Sequence, residues 1–84
     1  MNANLTQTIV AWAGEIARCA AVLPSREARA NYLAERRREL MAGAVAEGAA
    51  ERDAAMLADT CVDAAQRLMI ELLARRAGAP KGRA

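Results

Sequence analysis

The chain contains no histidine and no phenylalanine, and its 84 residues include only two cysteines, two prolines, one tryptophan and one tyrosine. Without an imidazole, the commonest general acid/base and metal ligand is missing, and neither cysteine has a histidine to activate it. Cys19 and Cys61 form no CxxC or other ligand spacing. The five glycines make neither GxxxxGK[ST] nor GxGxxG, so no phosphate-cradling loop is encoded. The acid pairs Glu35/Glu39 and Asp59/Asp63 have the spacing of any polar helix face. The expectation is a protein without catalytic chemistry, cofactor or metal.

No apolar run reaches the roughly 18 residues that a membrane span needs. Met1 to Val22 lacks a basic n-region and is interrupted by Glu15 and Arg18, so it does not read as a signal peptide. The residues before Cys19 end in an arginine, unlike a lipoprotein cleavage site. Two cysteines without a framework pattern fit a reducing compartment, and the expectation is a cytoplasmic chain.

Alanine-rich composition with almost no aromatics lacks the β-branched and aromatic runs of strands and predicts an all-α fold. Leu5, Ile9, Trp12, Ile16, Cys19 and Leu23 recur at spacings of four and three, which predicts helix 1 over about 4–23 with that face inward. Pro24 ends it, and Ser25 behind it can cap a second helix by accepting from backbone N–H groups. Helix 2 is expected over 26–47, burying Ala30, Leu33, Leu40, Met41, Ala44 and Val45, with Gly48 as a left-handed stop. Helix 3 is expected over 50–77, with a wide inward face of Leu57, Cys61, Ala64, Ala65, Leu68, Met69 and Leu72. The alternative is one helix of about 50 residues, because the heptad through Leu33, Leu40, Glu47, Ala54, Cys61 and Leu68 keeps its phase across Gly48. Glu47 and Glu51 on that seam, and Gly43 and Gly48 at about 1 kcal/mol each in a helix interior, favour the turn. The segment 78–84 has nothing to bury and reads as a disordered basic tail.

Short connections make consecutive helices antiparallel, so the expected architecture is a single-domain, up-down-up three-helix bundle, closed within one chain or completed as a homodimer. Ala13, Ala17 and Ala21 make a ridge that lets a neighbouring helix, or a second copy, approach closely. Both cysteines fall on apolar stripes and are expected buried, about 10 Å apart along the bundle and beyond disulfide reach. Trp12 is expected in the core, its indole N–H needing a partner.

The net charge of +2 conceals segregation: residues 24–38 carry +3, 39–71 carry −5 and 72–84 carry +4. In an up-down-up bundle this makes a basic end, with Arg26, Arg29 and Arg36 to Arg38 beside Arg67, Arg75 and Arg76, and an acidic end near Gly48. Local pairs are expected from Glu35 and Glu39 to neighbouring arginines and from Asp59 and Asp63 to Arg67. Arg37, on the inward stripe, must snorkel or meet a carboxylate from another helix or chain.

What remains is a regulator or adaptor acting by protein–protein binding through helical faces. The candidate partner-binding residues are Arg36, Arg37, Arg38, Trp12, Ala13, Ala17 and Ile70, the last an apolar residue, like Met56, on the polar side of helix 3. The alternative is nucleic-acid binding through the Arg36–Arg38 cluster and the basic tail, with a helix-turn-helix centred on Gly48. Against it, helix 3 opens with Ala50-Glu51-Arg52-Asp53, whose carboxylates would repel a duplex. Three consecutive arginines also fan around about 200° of helix instead of forming one phosphate-binding row.

Overall fold

A computed structural model describes residues 3–78, with side chains from residue 6 onward; the side chain of Leu5 and the tail from 79 lie outside what is described. Three helices follow in order: α1 Ala3–Ala21, α2 Arg26–Ala46 and α3 Glu51–Gly78. The fold is the expected all-α up-down-up bundle. α3 is the central element, packed against both others, while α1 and α2 meet each other least. The Cα atoms span 53 × 29 × 15 Å, a flattened body rather than a round one.

The two breaks have distinct causes. α1 ends at Ala21, two residues before the expected end, with Leu23 N–H donating to the Ala20 carbonyl at 3.1 Å in a last tight turn. Pro24 disfavours helical backbone at the residue before it, which moves the stop upstream of Leu23. Ser25, in extended conformation, then caps α2 by accepting from Ala28 N–H at 3.0 Å.

At the second break, Gly48 N–H donates to the Val45 carbonyl and Ala49 N–H to that of Ala44, both at 3.0 Å, around a Gly48 φ of +106°. This is the paired bonding of a Schellman stop, which needs a left-handed residue after the cap. It rules out the single long helix.

The interior corrects the expected helix faces. Buried residues are Ala13, Ile16, Ala17, Ala20 and Ala21 from α1, Leu33 from α2, and Ala54, Ala58, Cys61, Ala65 and Met69 from α3. Alanine dominates because the small-residue ridge of α1 packs with Cys61 and Ala65 of α3, and small side chains at a contact let two helices approach closely. Turning alanines toward α3 rotates the larger residues out. Trp12 is 41 % exposed instead of buried, Cys19 is exposed, and Val45 and Leu68 are 44 % and 37 % exposed.

The basic end is built by these helix ends. Arg29 Nη1 donates to the Leu23 carbonyl at 3.1 Å and Arg76 Nη1 to that of Ala21 at 3.3 Å. Two arginines from two helices thus satisfy carbonyls at the C-terminus of α1, where cations also oppose the helix dipole favourably. Arg76 on Ala21 places the C-termini of α1 and α3 together, as the up-down-up order requires.

Arg37 meets a carboxylate from another helix, donating from Nε to Asp59 Oδ1 of α3 at 2.5 Å. Asp59 therefore pairs across the bundle and not with Arg67 as expected. The bond from Arg37 holds the Asp59 carboxyl below the ordinary carboxylate pKa of about 3.9. Since the folded value lies below the unfolded one, the pair's contribution is present above the unfolded pKa and is lost as pH falls through the folded one. Asp59→Asn should therefore flatten the acid limb of thermal midpoint against pH relative to the parent. An unaltered limb would show that this pair contributes nothing.

Candidate partner-binding groove

Because α1 and α2 both lean on α3 and barely on each other, a channel stays open between them. Trp12 and Cys19 of α1 face Tyr32, Arg36 and Leu40 of α2 across a hollow of about 410 Å³. Toward the Gly48 turn, a second hollow of about 510 Å³ is lined by Trp12, Leu40, Gly43, Ala44 and Leu57. Both include Trp12, Glu39 and Leu40, so they form one groove with the indole at its middle. Each is within the usual range of ligand-binding concavities.

The wall between the helices is set by Arg36. Its Nη2 donates to Glu39 at 2.7 Å and lies 3.9 Å from Glu35, while its guanidinium sits 4.8 Å from the Tyr32 ring centroid. These are the local pairs expected from the sequence, with a cation–π contact added. Arg36 Nε is closed off from solvent and has no hydrogen-bond acceptor among the described residues. Burial, then the neighbouring Cys19 thiol, raise the Tyr32 phenol pKa, against a lowering by Arg36. Glu15, Glu39 and Glu47 line the groove, so its charge is acidic once Arg36 is neutralised by its own carboxylate.

The sequence candidates fall in different places. Trp12 and Arg36 belong to the groove. Arg37 is tied to Asp59, and Arg38 is exposed without a partner among the described residues. Ala13 and Ala17 are 1 % exposed, so the ridge offered as a docking face is occupied by α3 of the same chain. Ile70 is 54 % exposed and lines a separate hollow of about 550 Å³ between α2 and α3 at the basic end, with Arg26, Arg29 and Gln66 over Leu33, Met69 and Leu73.

Nothing in the sequence marks Tyr32, Leu40 and Gly43 as binding residues. The four-residue spacing of Tyr32, Arg36 and Leu40 put them on one helix side, but nothing local said that side would be left uncovered.

The two thiols differ. Cys61 is fully buried, which raises its pKa and leaves it a small apolar packing group. Cys19 is exposed at the groove, and both are free. Among the described residues, no group of three histidine, cysteine or acidic side chains could hold a metal, and no helix is long and apolar enough to cross a membrane. No family model, curated protein or solved structure matches this chain.

Proposed function

We propose that this protein acts by binding another protein, taking a helical segment of its partner into the groove between α1 and α2. The observation that carries this reading is Trp12, 41 % exposed where two apolar hollows join. A half-exposed tryptophan in a concave apolar setting is the residue type that most often anchors an interface. The flat three-helix body supports the same reading, since a fourth helix in the groove would complete a bundle around Trp12, Ile16 and Leu40. Acidic side chains along the groove favour a segment whose apolar stripe is flanked by lysine or arginine.

The arginine cluster argues less for nucleic acid than its sequence implied. Arg36 and Arg37 are paired with carboxylates, and Arg29 and Arg76 are spent on helix-end carbonyls. Phosphate binding would have to displace those bonds.

Two substitutions test the groove without touching the core. Trp12→Ala removes the anchor. Gly43→Leu fills the hollow from the helix surface, where an added Cβ meets nothing within 4 Å. With a partner captured at physiological salt and then purified, both variants should keep parental helicity and lose affinity at least about tenfold, the scale of a hot-spot residue. Undiminished affinity in both would exclude the groove. Binding of a mixed-sequence duplex near 50 mM salt, falling steeply as salt rises, would support the nucleic-acid reading instead.

A further inference from the structure

α1 and α2 both pack on α3, and α3 keeps two large apolar residues exposed, Met56 at 60 % and Ile70 at 54 %, the latter on the rim of the hollow it shares with Arg26, Arg29 and Leu33 of α2. Met56, Asp63 and Ile70 recur every seven residues, with Thr60, Arg67 and Ala74 interleaved at four and three. That is the period of a two-helix seam. Its centre is charged: Asp63 and Arg67 are exposed, and among the described residues neither has an ion-pair partner within the chain.

The charges along α3 are also divided by half. Glu51, Asp53, Asp59 and Asp63 lie in its first half with Arg52, and Arg67, Arg75 and Arg76 in its second half with Glu71.

We propose that this exposed face of α3 pairs antiparallel with the same face of a second copy about a two-fold axis, Asp63 of each copy meeting Arg67 of the other. A two-fold contact must be self-complementary. Antiparallel α3 helices meet that condition, because Asp63 of each then faces Arg67 of the other, while Asp59 and Arg76 are already held within the chain by Arg37 and the Ala21 carbonyl and take no part. Parallel alignment would set acid on acid and base on base. In the register that joins Asp63 to Arg67, Ile70 stands across from Thr60, and Met56 across from Ala74. Both large apolar side chains then meet small neighbours that leave room for them. The contact uses none of the α1/α2 groove, so it stands or falls separately from the proposed partner binding.

The two-fold gives a test that few interfaces allow, since one substitution alters both copies. Mass by sedimentation equilibrium should rise with concentration from the 8.9 kDa chain toward twice that value and fall back as salt is added. Asp63→Arg sets Arg67 against a new arginine twice, and Arg67→Asp sets Asp63 against a new aspartate twice, so each should remain a monomer with parental helicity. The double variant D63R/R67D restores both pairs and should restore the dimer, the signature of direct coupling. Met56→Lys with Ile70→Lys, on positions already exposed, should abolish it again. A parent chain that stays monomeric to millimolar concentration overturns the proposal. So does a dimer indifferent to Asp63→Arg, or a double variant that remains monomeric.

Discussion

Ala17→Leu should lower the free energy of unfolding by about 1–3 kcal/mol, the usual cost of forcing added methylenes into a packed site. Ala17 is 1 % exposed, and its neighbours on the ridge, Ala13, Ala20 and Ala21, are equally closed. Burying more hydrocarbon is ordinarily favourable, at about 25 cal/mol per Å². Here the gain is outweighed, because a leucine can enter only by pushing α1 off α3, which loosens the whole alanine contact at once. A core in which the largest fully buried side chain is Cys61 has little reserve, and a single domain of this size rarely draws more than about 3–5 kcal/mol from its core. Much of the population should then be unfolded at moderate urea. Ala17→Ser, of similar volume, should cost less and serves as the control. Urea midpoints would decide the matter: an Ala17→Leu chain as stable as its parent would mean that α1 and α3 are not in close alanine contact.

Gly48→Val should cost at least about 1–2 kcal/mol, from a different source. An added Cβ at Gly48 has open space around it, so no steric contact with other parts of the chain opposes the substitution. The penalty is local: at φ +106° an L side chain meets its own backbone, and a β-branched one does so most severely. The strained residue must either keep that conformation or abandon the bonds from Gly48 and Ala49 to the carbonyls of Val45 and Ala44. Gly48→Asn, better tolerated in left-handed backbone, should recover part of the loss. Equal urea midpoints for the valine and asparagine variants would show that backbone conformation at this turn does not limit stability.

The two substitutions probe features of unequal legibility. The Pro24–Ser25 break and the Gly48 stop were readable because they depend on neighbours in the chain. Proline removes a donor and restricts the residue before it, serine caps, and glycine tolerates left-handed backbone. Periodicity over whole helices was likewise enough for the all-α class and the order of elements. The Arg36 to Glu39 pair followed from three-residue spacing on one helix.

Rotation about each helix axis was not readable in the same way. Counting large apolar residues put Trp12 and Cys19 of α1 inside, yet α1 buries its alanines, because close approach to the small-residue face of α3 gains more contact than a wider-spaced helix pair around an indole would. The same rotation turned the Ala13/Ala17 ridge from a candidate docking surface into core, and Trp12 from expected core into the middle of a groove.

Local sequence determined where this chain is helical and where it stops, since capping, proline and glycine act within a few residues. Which faces meet, which arginines are tied to carbonyls or carboxylates, and which large side chains are left over for a partner were decided only by tertiary packing. Those outcomes depend on the fit between residues as far apart as Arg76 and Ala21, or Arg37 and Asp59, and no spacing along one helix encodes them.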